Sequence, residues 1–255
     1  PPPPPLHPDP SPTHLTTPPT GKPKSLDYRV QFHYNVKGQL KQISPWHDIP
    51  LYSPEGHCHL IVEIPKFSRA KFEIATGEEY NPIKQDVKNG KLRNYNYGDM
   101  LFNYGAFPQT WEDPNVKGDA DVGGAFGDDA PMDVVEIGAA TQEMGAVIQI
   151  KALGVLSMID DGELDWKLIA IAANDEHAAS INDVDDIEKF YPGTVSGIRE
   201  WFRWYKTPDG KPVNGYGHGE RALPAADAKK AIAETNAHYK AAAAGTADKG
   251  KLWFP

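Results

Sequence analysis

Gly127-Asp128-Asp129-Ala130-Pro131-Met132-Asp133-Val134-Val135-Glu136-Ile137-Gly138 reads as a turn pinned by Pro131 that runs straight into a β-branched strand. Three carboxylates, those of Asp128, Asp129 and Asp133, crowd the turn. Oxygen donors gathered on a loop that feeds a strand suit a hard cation such as magnesium. The spacing of Asp128 and Asp133 also marks calcium-binding and plain turn-rich loops, and taken alone it is more often structural than catalytic. Residues elsewhere in the chain have to decide between those readings.

A chain of 255 residues fits one large domain or two small ones and can bury a substantial core. Its 40% hydrophobic and 24% charged residues are ordinary for a globular protein. A net charge of -9, with no basic run longer than Lys229-Lys230, argues against a nucleic-acid surface. No apolar stretch approaches the length of roughly 20 residues that a membrane-spanning helix needs. The single cysteine, Cys58, leaves no internal disulfide and suits a reducing compartment. Residues 1–24 are rich in proline and threonine and are expected to form an extended, weakly ordered tail. Such a tail is what transit-peptide removal or trimming would leave, with a docking segment for a partner as the second reading. Residues 25–255 are expected to form a single domain.

Outward from the opening loop, strands dominate the first two thirds. Tyr28 to Asn35 alternates apolar and polar residues. Ser44 to Pro50 reads as a proline-pinned connector, and Leu60 to Ile64 as a strand carrying Glu63. Ala70 to Ile74 places Lys71 and Glu73 on one face, which by itself signals no more than a solvated ion pair. Arg93 precedes a cluster of tyrosines, and the two prolines of Asn103 to Pro114 forbid a helix there. Val134 to Ile137 and Val147 to Met158 are strands, and Asp161-Gly162 turns the second into another through Leu168 to Ala172. That turn is expected to bring Asp160 and Asp165 to the hairpin mouth, with Lys167 one step inward.

The last third reads as helical. Asp183 can cap a short helix to Phe190, and Thr194 the next, where Val195, Ile198, Phe202 and Tyr205 make one apolar stripe. Pro224 opens an alanine-rich helix closed by Gly245. Short strands followed by helices predict an α+β fold, mainly β, with a barrel or curled sheet and helices outside it.

His57-Cys58-His59 invites a zinc reading, but the other ligands of a four-ligand site are missing. Tyr95, Tyr97, Trp201 and Trp204 read as packing aromatics rather than base-stacking platforms. The acidic groups are different, because they recur on separate loops with Lys71, Arg93, Lys167 and Lys206 interleaved among them. Many carboxylates with several cations suit magnesium ions bridging a phosphate-rich ligand. The carboxylates hold metal, and the cations neutralise phosphate oxygens.

With these residues in place, the chain resembles the family I soluble inorganic pyrophosphatases. Val62-Glu63-Ile64-Pro65-Lys66, Asn103 to Pro114, Gly127 to Gly138, Asp160 to Lys167 and Trp201 to Lys211 all resemble family segments and follow family order. The stretches Ile43 to Pro50 and Leu92 to Phe102 are most similar to the eukaryotic organellar branch, particularly plastid enzymes of plants and algae. The resemblance implies a five-stranded OB-like barrel flanked by helices and magnesium-dependent hydrolysis of pyrophosphate to two phosphates, with several magnesium ions per site. It implies metal ligands at Asp128, Asp133, Asp160 and Asp165, with Glu63 acting through water and Glu73 supporting metal-bound water. It implies phosphate-binding positions at Lys71, Arg93, Tyr205 and Lys206, and site positions at Tyr104 and Lys167. Partners would be pyrophosphate and phosphate, in the plastid stroma rather than the mitochondrial matrix, as a monomer or a homodimer.

The chain departs from the family in two places. Met100 stands where fungal and animal enzymes have a tyrosine. Ala130 stands where the family's Asp-x-Asp-Pro-apolar-Asp signature has its middle aspartate, the one that helps bind two metals and orients the attacking water. Alanine offers no side-chain oxygen, and Asp129, next to it in an extended loop, is expected to point elsewhere. Three readings follow: an enzyme disabled at one position, an inactive relative serving as a structural subunit or phosphate binder, or an active enzyme that replaces the lost carboxylate.

Overall fold

The computed structural model describes residues 15–255. Five strands make the framework: β1 (Cys58–Ile64), β2 (Asn103–Ala106), β3 (Asp133–Glu136), β4 (Val147–Asp160) and β5 (Glu163–Ala172). β2 lies antiparallel between β1 and β3. β3 runs parallel to β5, β5 is antiparallel to β4, and β4 is antiparallel to β1. Each strand therefore has two neighbours and the ring closes, as expected for an OB-like barrel, leaving no free edge among the five.

Both faces of the strands are covered along much of their length, which is why segments such as residues 60–62 and 168–172 read as unbroken apolar runs. Val134 and Leu168 pack with Ala228 and Ile232 of the long helix, while Val135 and Ile169 pack with Ile198 and Phe202 of a second helix. Full burial of such side chains contributes about 1.5–3 kcal/mol each. Two local features make closure possible. At Asp161-Gly162, φ values of 49° and 96° give the tight turn between β4 and β5. At Gly105 the β1 backbone comes so close that a Cβ would sit 1.9 Å from the Ile61 carbonyl oxygen.

The helices are α1 (Pro45–Asp48), α2 (Val184–Phe190), α3 (Thr194–Trp204) and α4 (Ala225–Ala243). Asp183 caps α2 as expected, and its carboxylate accepts from Val184 N at 2.7 Å. The Ser44 to Pro50 connector contains a helical turn, because the Ser44 hydroxyl accepts from His47 N at 3.0 Å and Pro45 fits the first helical position. Thr194 is the first residue of α3 rather than its cap; Gly193 takes the cap position at φ 79°.

Pro1 to His14 of the expected tail lie outside the described residues. From Leu15 onward the tail is paired rather than free: Leu15–Thr16 joins Phe32–Val36, and Pro19–Thr20 joins Arg29–Val30. Composition alone missed this, because strand addition needs only an available neighbour and no large apolar content. No helix among the described residues is long and apolar enough to cross a membrane.

Candidate active site

One end of the barrel opens into a cavity of about 280 Å³. Strand register builds one wall. The pairing of β3 with β5 sets Asp133 opposite Lys167, and the pairing of β2 with β3 sets Ala106 opposite Asp133, with Tyr104 two residues back on the same face. The Lys167 ammonium reaches Asp133, lies 2.5 Å from Asp165 and 3.0 Å from the Tyr104 hydroxyl, while that hydroxyl donates to Asp133. The Lys167 side chain is only 3% exposed. Burial would lower its pKa, but Asp133 and Asp165 outweigh burial and hold it well above the usual lysine range.

The β4–β5 hairpin delivers Asp160 and Asp165, and α3 ends against it. The Tyr205 hydroxyl donates to Asp160 at 2.9 Å, and the Lys206 ammonium pairs with the same carboxylate. Across the cavity Lys71 is 2.8 Å from Glu73 and 3.4 Å from Asp86, and Arg93 donates to Asp86 at 2.5 Å. Glu63, buried in β1, accepts from Ile74 N at 2.7 Å. Burial first, then the charge of Asp133, pushes its carboxyl well above the usual range.

The opening loop enters here. Asp128 accepts from its own loop at Ala130 N, 3.1 Å, and among the described residues no lysine or arginine pairs with it. Burial, Asp165 and Asp133 together raise its pKa well above the ordinary value. Asp165 is pushed up to about 7, mostly by burial, with Lys167 opposing. Ala130 is among the residues that line the cavity. Asp129 does not: at φ 67° it turns away, and its carboxylate accepts from Trp111 Nε1 at 2.9 Å.

All of the residues that the resemblance places in the site line this one cavity: Glu63, Lys71, Glu73, Arg93, Tyr104, Asp128, Ala130, Asp133, Asp160, Asp165, Lys167, Tyr205 and Lys206. Six are carboxylic acids and four are cations, so the lining is short of positive charge. Hard oxygen donors with a charge deficit fit a divalent cation such as magnesium. His57 and His59 lie outside the cavity, and His59 Nδ1 is 2.7 Å from the Pro50 carbonyl oxygen. Met100, the other departure from the family, is fully buried among Phe102, Tyr104 and Trp201.

Two acidic residues went unremarked in the sequence. Asp86 binds Lys71 and Arg93 together, and nothing in its local sequence marks it. Glu112 is 3% exposed and places a carboxylate oxygen within 4.8 Å of oxygens of both Asp128 and Asp165. The Glu112-Asp113 pair inside an aromatic segment was the available signal, but it gives no hint of which way either side chain points.

A family model for inorganic pyrophosphatase matches residues 60–240. A chloroplastic soluble inorganic pyrophosphatase 6 of Arabidopsis thaliana is 50% identical over 232 residues, covering 91% of this chain and 76% of that protein. A chloroplastic soluble inorganic pyrophosphatase 1 of Chlamydomonas reinhardtii is 52% identical over 219 residues, covering 86% and 76%. The crystal structure of an N-terminally truncated vacuolar soluble pyrophosphatase of Trypanosoma cruzi in complex with PPi is 44% identical, with a TM-score of 0.85. It covers 89% of this chain and 90% of that one. With the barrel closed, the carboxylates and cations gathered at its mouth and 91% of the chain matched at 50% identity, the chain belongs to the family I soluble inorganic pyrophosphatases.

Proposed function

We propose that this chain hydrolyses inorganic pyrophosphate to two phosphates with magnesium as its cofactor, and that Ala130 lowers its turnover. The carrying observation is the cavity itself, where carboxylates and cations interleave around a space of about 280 Å³. Asp128, Asp133, Asp160 and Asp165 would hold the metal, with Glu63 acting through water. Bound magnesium would supply charge neutralisation and a more acidic water.

The chain's own residues do the rest. Lys71, Arg93, Tyr205 and Lys206 present donors to phosphate oxygens, held in place by Glu73, Asp86 and Asp160. Water adds to one phosphorus, the bridging oxygen leaves with the other phosphate, and these cations balance the charge that develops on it. Lys167 and Tyr104 fix the orientation of Asp133. At position 130 a methyl group can neither orient the water nor accept its proton, and Asp129 is held away by Trp111. Loss of one such preorganised group costs on the order of a hundredfold to a thousandfold in rate. We place the protein in the plastid stroma, a reading supported by the two chloroplastic relatives; detection in purified stroma with a specific antibody tests it.

Phosphate release from pyrophosphate, with and without magnesium, measured beside Ala130→Asp, tests the activity. We expect slow, magnesium-dependent release that rises at least about a hundredfold in Ala130→Asp. No release from either protein would leave a binder of phosphate or pyrophosphate. Equal fast rates in both would refute the weight placed on Ala130.

A further inference from the structure

The geometry points to Glu112 as a ligand for a divalent cation, completing with Asp128 and Asp165 a three-carboxylate site beside Ala130. The inference rests on the proposed cation-dependent reading and adds a residue that sequence resemblance did not supply.

Oxygens of Glu112, Asp128 and Asp165 lie within 4.8 Å of one another. A cation with oxygen ligands at about 2.0–2.6 Å can bridge such a set. Glu112 is 3% exposed, and its Oε1 accepts from Trp166 N at 2.9 Å, which fixes the side chain beside β5, the strand that carries Asp165. Its Oε2 is buried and has no partner. Among the described residues, no lysine or arginine pairs with Glu112 or Asp128; Lys167 serves Asp133 and Asp165. Asp165 has Lys167 beside it, but Glu112 and Asp128 cannot both stay ionised this close together and away from water without a further positive charge.

The backbone places Glu112 beside the altered position. Glu112 N donates to the Ala130 carbonyl at 2.9 Å, and Asp129 N donates to the Glu112 carbonyl at 3.0 Å. The two segments press so closely that a Cβ at Gly127 would lie 2.5 Å from the Glu112 carbonyl. Glu112 can therefore return a negative charge to the site where Ala130 removes one. A cavity of about 30 Å³ behind Glu112, lined also by His238, offers a buried water as the rival partner. Water would satisfy one hydrogen bond, but it brings no charge to offset the three carboxylates.

Calorimetric titration of magnesium into the substrate-free protein tests this on the native chain, Glu112→Gln, Ala130→Asp and the double variant. Glutamine keeps the acceptor for Trp166 N and replaces the other carboxylate oxygen with an uncharged amide NH2. We expect Glu112→Gln to weaken magnesium binding about tenfold or more, with the metal-free melting temperature unchanged or raised. In the Ala130→Asp background the same change costs much less, because the restored aspartate shares the ligand role. Magnesium affinity within about twofold of the native value overturns the proposal, as does an equal loss in both backgrounds. If Glu112→Gln does not fold, Glu112→Asp, which withdraws the charge by one methylene, has to show the weakened binding, and native affinity there overturns the proposal equally. The titration contains no pyrophosphate. Glu112-dependent magnesium binding without phosphate release would sink the proposed hydrolysis alone, whereas hydrolysis with magnesium binding independent of Glu112 would sink this inference alone.

Discussion

Replacing Lys167 with methionine tests the electrostatic core of the site independently of substrate. Methionine retains an unbranched apolar stem, so packing against Tyr104 and Phe202, whose ring centres lie 5.5 and 5.2 Å from the ammonium, is largely kept. The positive charge shared by Asp133, Asp165 and the Tyr104 hydroxyl is lost. With the lysine side chain 3% exposed, solvent does little to screen the carboxylates left behind. Breaking a buried pair from one side costs about 3–5 kcal/mol. For a chain of this size that is a melting-temperature loss on the order of 10 °C.

The sign of the pH dependence follows from linkage. Without Lys167, which opposes the effect of burial on Asp165, the folded-state pKa of Asp165 rises further, so the folded state favours its protonated form. The stability that Asp165 contributes is then complete at low pH and lost as pH rises through its folded pKa. Lys167→Met therefore costs most near about pH 8 and clearly less near about pH 5. Denaturant unfolding in EDTA at both pH values, read beside the native protein, measures this. A loss below about 1 kcal/mol at the higher pH, or equal losses at both, would refute the assignment of Lys167 as the buried counter-charge.

Other outcomes follow from the same geometry. Gly105→Ala places a Cβ 1.9 Å from the Ile61 carbonyl and cannot be relieved by a rotamer change. It is expected to cost about 3 kcal/mol or more in denaturant unfolding, and near-native stability would contradict the closeness of β1 and β2. Magnesium-induced stabilisation should grow with pH. The Asp165 carboxyl, pushed up to about 7 mostly by burial, contributes stability that is complete below 3.8 and fades as pH rises through about 7. A cation needs the ionised form, so the melting shift on adding magnesium increases across that window, and a flat shift would remove Asp165 from the ligand set. Lys206→Met removes the cation paired with Asp160 and should weaken pyrophosphate binding roughly tenfold or more, about 1.5–3 kcal/mol for a charged hydrogen bond. Unchanged affinity in a binding titration would exclude Lys206 from substrate contact.

The sequence by itself determined the chemistry and much of the local structure. Asp128 and Asp133 belong to a motif set by their spacing around Pro131. Lys71 and Glu73 share a strand face by period two, and Asp161-Gly162 dictates a tight turn that carries Asp160 and Asp165 on its arms. These features depend on neighbours a few residues away, so they survive being read one segment at a time. Ala130 belongs with them, because a methyl group has no oxygen in any fold.

Only the tertiary structure decided the rest. Strand register set Asp133 opposite Lys167, and no local pattern specifies which residues of two distant strands become partners. Asp86 joins the site because three chain segments converge on it. The tail from Leu15 is ordered because Phe32–Val36 and Arg29–Val30 offer it partners. Glu112 is the clearest case. Its sequence neighbours are aromatic and proline-rich, and its significance comes from burial beside Asp128 and Asp165 with one oxygen left unpartnered. Burial and long-range pairing are properties of the closed barrel, whereas turn chemistry and strand period belong to the local chain.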